Sequence, residues 1–274
     1  MIEVGVTAIA DHPELAANGK TSTLADLTAH FPIIEIDTSF YALPKLAVVQ
    51  RWQQQVPLRC RFIIKASQYM TLHKVDPHVD VVAQFTALKR AVAPLVASKQ
   101  LAAILFQLPP FFGVTPANSR YLDRVRELFP ELPIAVELRN NGWYLPAYRQ
   151  ATLAQLRRLR MIHVVVDEPQ TPAGSVPMVA EATHPDLTIM RLHGRNFAGW
   201  QEKSRQWRSQ RTNYRYSPEA LHELGQVARQ LASRDVAVIF NNNGGGDAAA
   251  NALAFIAQEQ LHYTGLGPEQ LDLF

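Results

Sequence analysis

Hydrophobic positions along the chain fall into eight short runs, at residues 4–8, 33–37, 61–66, 102–108, 134–139, 163–167, 187–194 and 236–242. Several are almost unbroken, such as Ala103-Ile104-Leu105-Phe106, Val164-Val165-Val166 and Val236-Ala237-Val238-Ile239-Phe240. Strands covered on both faces read in this way, because neither face alternates with solvent. Between the runs, apolar residues recur at helical spacing over 22–31, 46–55, 79–98, 119–129, 152–159, 217–233 and 247–262. Ser217-Pro218-Glu219 supplies a cap, an N1 proline and a first-turn acid. Residues 168–186, rich in Pro and Gly, carry only a poor helical pattern.

Strand and helix alternating eight times predict a parallel sheet closed into a (β/α)₈ TIM-type barrel. An open doubly wound sheet is the alternative. It would carry a glycine-rich turn after its first strand, and none is present there. No repeat or linker divides the chain, so one domain is expected over 1–264, followed by a tail over 265–274.

Composition narrows the setting. The chain of 274 residues is long enough to bury a core without staples. A single cysteine, Cys60, allows no internal disulfide and fits a reducing, cytoplasmic compartment. The apolar runs are too short to span a membrane, and Met1-Ile2-Glu3-Val4-Gly5-Val6 does not read as a signal peptide. The formal charge of +3 says little about partners; its distribution says more.

Barrel chemistry sits at strand C-terminal ends. Here those ends carry Thr7, Glu35, Asp37, Lys65, Gln107, Glu137, Arg139, Asp167, Arg191, His193, Asn241 and Asn242. Side chains two apart share a strand face, so Glu35 goes with Asp37, Glu137 with Arg139, and Arg191 with His193. Glu35, Lys65, Glu137, Asp167 and His193 are the candidate catalytic set. Asp37, Tyr41, Gln107, Arg139, Trp143, Arg191, Asn241 and Asn242 are candidates for substrate binding. Glu137 or Asp167 would serve as general base and His193, near neutrality, as acid or base. Lys65 would stabilise charge, or form a Schiff base if neighbouring arginines lower its pKa. The competing reading is a balanced set of ion pairs that neutralise one another.

Two loops belong to the same face. Asn241-Asn242-Asn243-Gly244-Gly245-Gly246-Asp247 joins the eighth strand to the last helix, where backbone amides suit a phosphate; a flexible turn capped by Asp247 is the alternative. Residues 195–216 mix cations with aromatics. Arg205, Trp207, Arg208, Arg211 and Tyr214 are the candidates for nucleic-acid contact, since cations neutralise phosphates and rings stack on bases. A lid pinned by its own aromatics is the alternative. No metal motif is present, although Glu35, Glu137, Asp167 and His193 could converge on a divalent ion.

These residues stand in segments that resemble the YecE-like family, domain of unknown function seventy-two. The segments are Ile34-Glu35-Ile36-Asp37-Thr38-Ser39-Phe40-Tyr41, Phe62-Ile63-Ile64-Lys65-Ala66, Ile104-Leu105-Phe106-Gln107-Leu108-Pro109-Pro110, Val136-Glu137-Leu138-Arg139 with Trp143, Arg191-Leu192-His193-Gly194, and Phe240-Asn241-Asn242. The resemblance implies a TIM-type barrel and no defined activity. The chain departs from the pattern where Thr7-Ala8-Ile9 replaces a Gly-Trp turn, and where Asp37 replaces a more usual Asn.

The final residues, Gln270, Leu271, Asp272, Leu273 and Phe274, resemble the pentapeptide that binds the bacterial DNA sliding clamp. Leu271, Leu273 and Phe274 would enter an apolar groove. The alternative is a tail folded back on the barrel. The sequence therefore predicts an enzyme acting on a phosphate-containing substrate, with nucleic acid and clamp recruitment as its sharpest form. A sugar-phosphate isomerase, lyase or hydrolase and a non-catalytic binding module are the other two readings.

Overall fold

A computed structural model of the chain describes residues 1–16, 19–172, 174–202 and 207–267, without the side chain of Arg208. Arg205 and Gln270 to Phe274 lie outside the described residues. Eight parallel strands close in sequence order, with β1 paired to β8. They are β1 (Ile2–Thr7), β2 (Ile33–Ile36), β3 (Arg61–Lys65), β4 (Leu101–Leu108), β5 (Ile134–Leu138), β6 (Met161–Asp167), β7 (Leu187–Leu192) and β8 (Asp235–Phe240). Nine helices lie among the described residues: α1 (Leu24–Thr28), α2 (Leu46–Gln55), α3 (Val81–Ala97), α4 (Pro116–Leu128), α5 (Pro146–Arg158), α6 (Phe197–Gln201), α7 (Trp207–Thr212), α8 (Pro218–Gln230) and α9 (Ala248–Gln258). No helix is long and apolar enough to cross a membrane among the described residues.

Local chemistry sets the helix starts. Asp80, Thr115 and Ser217 each accept an N–H from the first turn of α3, α4 and α8. At α1 the cap is Thr23, in a reciprocal box with Asp26. The weak pattern over 168–186 forms no helix among its described residues, whereas α6 and α7 form inside the stretch expected to be a loop.

Pairing fixes which side chains face inward, because partners in a parallel ladder share a face. Thr7 pairs with Glu35, Gln107 with Glu137 and Arg191 with Val166. The interior is layered from bottom to top. Arg61 pairs with Glu3 and Asp235 at the floor. Buried Ile33, Ile63, Leu105, Ile189 and Ile239 fill the middle. Glu35, Glu137 and Arg191 form the polar layer above. Beneath the floor, the chain after α9 runs back across the strand N-termini. The Tyr263 hydroxyl accepts Val4 N–H, and Gly267 N–H donates to Thr28 O, so contact with the barrel continues past the expected boundary at 264.

Candidate functional site at the barrel mouth

Arg191, 1% exposed, organises the mouth. Its Nε and Nη2 donate to the two oxygens of Glu35 at 2.8 and 2.7 Å. Its Nη1 donates to Glu137 Oε2 at 2.5 Å and to Gln107 Oε1 at 3.4 Å. One planar guanidinium thus ties β2, β4 and β5 to β7. Burial pushes the Glu35 carboxyl above its ordinary range, against the pull of Arg191 and Lys65. Burial pushes Glu137 the same way, but Arg191, His193 and Arg139 outweigh it and hold Glu137 well below the usual carboxylate range.

A second chain of contacts crosses the closure between β1 and β8. Thr7 Oγ1 donates to Asn241 Oδ1 at 2.8 Å and accepts from Asn243 Nδ2 at 3.1 Å. With its oxygen so engaged, Asn241 turns its amide nitrogen to His193 Nδ1, 2.7 Å away. His193 Nδ1 is therefore an acceptor, and Nε2 carries the proton given to Glu137 Oε1 at 3.1 Å. Burial lowers the His193 pKa to about 4, Glu137 notwithstanding. The expected acid or base near neutrality is instead a fixed neutral donor.

The carboxylate expected from β6 is also corrected. Asp167 pairs with Leu192, so it faces outward rather than into the barrel. There it accepts from Arg195 Nε at 2.9 Å and from the Tyr216 hydroxyl at 2.6 Å. The next residue, Glu168, has the parity of Val164 and Val166 and takes the inward place. Its Oε2 lies 2.6 Å from Arg139 Nη2, and its Oε1 accepts Val176 N–H at 2.7 Å. Burial pushes the Glu168 carboxyl up to about 7, despite the Arg139 guanidinium.

Lys65 ends β3 on the inward face. It is half-buried, and its Nζ lies 4.9 Å from the centre of the Phe40 ring. Among the described residues it makes no hydrogen bond or ion pair. Burial and Arg191 lower its pKa, while Glu35, Glu137 and Asp37 oppose them. Asp37 and Tyr41 stand beside it at the rim, Tyr41 62% exposed.

The described residues between 195 and 216 cover one side of the mouth. The Arg139 guanidinium lies 5.3 Å from the Trp200 ring. Arg211 lies 4.7 Å from Trp200 and 4.7 Å from Trp207. Arginine and indole faces thus alternate outward from Arg139. Buried Asn251 on α9 pins the end of this stretch: its Oδ1 accepts Tyr216 N–H and Asn242 Nδ2, and its Nδ2 donates to Tyr216 O.

A sequence model of the family described as "Protein of unknown function DUF72" matches residues 9–272. The chain belongs to that family. UPF0759 protein YunF of Bacillus subtilis is 38% identical, over 100% of both chains. UPF0759 protein YecE of Escherichia coli is 27% identical, over 80% of this chain and 90% of that protein. A crystal structure of a DUF72 family protein from Enterococcus faecalis has a TM-score of 0.93 and 38% identity, covering 99% of this chain and 100% of that one. One from Thermotoga maritima has a TM-score of 0.77 and 26% identity, covering 95% and 99%.

In this DUF72 chain the mouth gathers Glu35, Lys65, Gln107, Glu137, Arg139, Arg191, His193 and Asn241. Asp167, Trp143 and Asn242 stand elsewhere. Trp143 is buried, stacked on Phe112, and its Nε1 donates to Phe112 O at 2.6 Å. Asn242 is buried with its amide on Tyr214 O and Asn251. Tyr214 packs edge-on against Tyr216, 4.9 Å between centroids.

The guanidinium and amide groups expected to grip phosphate are committed within the protein: Arg191 to Glu35 and Glu137, Arg139 to Glu137 and Glu168, Asn241 to His193. The glycine loop is committed as well, since a Cβ on Gly244 would meet Ser209 O at 1.9 Å. It serves close packing of α7. Among the described residues no group of three or more His, Cys, Asp or Glu is placed to hold a metal ion. Glu35 and Glu137 face Arg191, Asp167 points outward, and both His193 nitrogens are engaged. Glu168 and the Trp200–Arg211 contact were missed by sequence reasoning. Strand parity could have located the first; no sequence signal located the second.

Proposed function

We propose that the chain is an enzyme that takes an anionic, phosphate-bearing substrate at the barrel mouth. Arg211 is the observation that supports this reading. Inside the barrel, acids and guanidinium groups neutralise one another. Arg211, by contrast, makes no ion pair or hydrogen bond among the described residues, although the charges of Arg139 and Glu168 reach it, and its Nε is buried without a partner. Two indole faces hold it in place beyond Arg139. A cation so positioned and so unpaired suits an incoming anion. Glu168, with its carboxyl near 7, is the group fitted to move a proton at neutral pH.

The test is titration with inorganic phosphate and with ribose 5-phosphate, followed by indole fluorescence. A saturable response is expected, and Arg211→Gln should weaken it about tenfold, or about 1.4 kcal/mol. A flat response from the unaltered chain would sink the reading.

Nucleic acid is the sharper member of this substrate class, favoured by Trp207, 37% exposed on the outer step of the stack. Single-stranded DNA should bind with a steep salt dependence, and Ala at Arg205, Arg208 and Arg211 should flatten it. The clamp pattern of Gln270 to Phe274 belongs to the same proposal. Purified sliding clamp should bind the full chain at roughly micromolar affinity, about 8 kcal/mol, and not a chain lacking Leu273 and Phe274.

A further inference from the structure

We propose that Lys65 is a nucleophilic amine that condenses with a carbonyl group of the substrate to form an imine. The inference rests on the mouth being a substrate site and adds the reaction class.

Placement comes first. Lys65 pairs with Leu105 on β4, which puts it on the inward face with Glu35 and Gln107. Its backbone is fixed, since the Ser39 hydroxyl reaches the carbonyl oxygens of Lys65 at 2.6 Å and Ile36 at 2.9 Å. The amine therefore projects from a rigid strand end rather than from a loop.

The second point is its lack of partners. Glu35 and Asp37 face it from β2 and its following turn, Glu137 from β5, Arg191 from β7 and His73 from the loop after β3. Three carboxylates near one lysine would ordinarily yield an ion pair. Here Arg191 clamps both oxygens of Glu35 and takes one of Glu137, while Arg139 and His193 share the other. Asp37, the third, makes no ion pair with Nζ, and among the described residues no acceptor forms a hydrogen bond with it. Its neighbour is the face of Phe40, itself packed edge-on by His73 at 5.0 Å. An ammonium that is partly desolvated and has no ion-pair partner is disfavoured relative to a neutral amine. A lysine that pairs with nothing does not serve as structural glue. It keeps a lone pair at the strand end, on the inward face that carries Glu35 and Gln107.

The step balances. The Nζ lone pair attacks the carbonyl carbon, a C–N bond forms, and the π pair moves to oxygen. A proton passes from nitrogen to that oxygen, giving a neutral carbinolamine. The nitrogen lone pair then forms C=N as the hydroxyl, protonated by one proton from solvent, leaves as water. An amine, a carbonyl and one proton become an iminium and water, with no change of oxidation state.

The experiment uses the full chain near neutral pH, with glycolaldehyde phosphate or glycolaldehyde as probe and sodium cyanoborohydride to reduce the imine. Peptide mass spectrometry then reads the adduct at each lysine. Lys65 should label about tenfold or more faster than the chain's other lysines. Lys65→Arg should remove that adduct and leave the rest. The comparison among lysines is internal to the unaltered protein, so it decides even if the variant fails to fold. Lys65 labelled no faster than the other lysines would overturn the inference. Arg211→Gln should slow labelling by glycolaldehyde phosphate and leave glycolaldehyde unchanged. If Lys65 labels preferentially but the phosphate and Arg211 make no difference, the amine stands and the phosphate-bearing substrate falls.

Discussion

His193 shows how far a neighbourhood can retask a side chain. Asn241 makes Nδ1 an acceptor and burial keeps the ring neutral, so its pKa of about 4 lies below the ordinary value. The unfolded chain then binds a proton that the folded chain refuses over the window from about pH 6.5 down to about 4. This contribution to stability is therefore full above that window and is lost as pH falls through it. Comparison of denaturation in the chain and in His193→Gln should show a slope between pH 6.5 and 4 that is shallower in the variant, by about 1.4 kcal/mol per pH unit. Equal slopes would mean that the imidazole titrates normally. Ala8, directly after Thr7, holds φ at 59°. That left-handed conformation costs a residue with a Cβ about 1 kcal/mol, so Ala8→Gly should raise the melting temperature. The sequence made most of the mouth legible, because strand ends are easily found. It misassigned Asp167 because Val164-Val165-Val166-Asp167 is apolar on both faces and shows no alternation. The pairing of Asp167 with Leu192 settles the parity that makes Glu168 the inward acid.

The strands and the longer helices were readable as elements because each carries its own period. The helices α6 and α7 were not, for they are too short to show a period and are held by contacts distant in sequence. Asn196 caps α6 through Gly199 and also donates to Gln210 O and Asn213 O. Gly244 lets the turn after β8 press against Ser209 on α7. The glycine run was thus visible while its purpose was not, since a packing glycine and a ligand-binding glycine look alike in sequence. Gly244→Ala should push α7 away and cost about 1–3 kcal/mol. It should also weaken phosphate binding, because Arg211 lies on α7. Thermal melts together with the phosphate titration check both. Unchanged binding in a destabilised variant would separate α7 from the site.

At the scale of the whole molecule, the Arg191 network is a costly interior feature that holds four strands in one arrangement. Removing the guanidinium leaves two buried carboxylates facing each other. Arg191→Met should therefore destabilise the barrel by about 3–5 kcal/mol, and adding Glu35→Gln and Glu137→Gln should recover part of the loss. Denaturant titration of the three-site series reads this directly. A single variant as stable as the parent would show that the carboxylates are neutral or hydrated. Barrel closure was legible from eight alternations of strand and helix. The partners within the network were not, because they join residues far apart in sequence, such as Glu35 and Arg191, 156 positions apart.

The hydrogen bond from Thr7 to Asn241 joins residues 234 positions apart. It carries a consequence for the order of assembly. On the ribosome β1 emerges long before β8, and until β8 arrives β1 has no neighbour on that side. Asn241 then has no Thr7 to turn its amide, and His193 has no Asn241 to set its tautomer. A nascent chain with seven strands can hold β2 to β7 together, yet its mouth is chemically unfinished. The Thr7–Asn241–His193 part of the mouth thus matures in one late event, the zipping of β8 between β7 and β1, after most of the loop-closure entropy has been spent. Partly made chains therefore lack the tuned site, and any chemistry at the mouth begins only once the ring is shut.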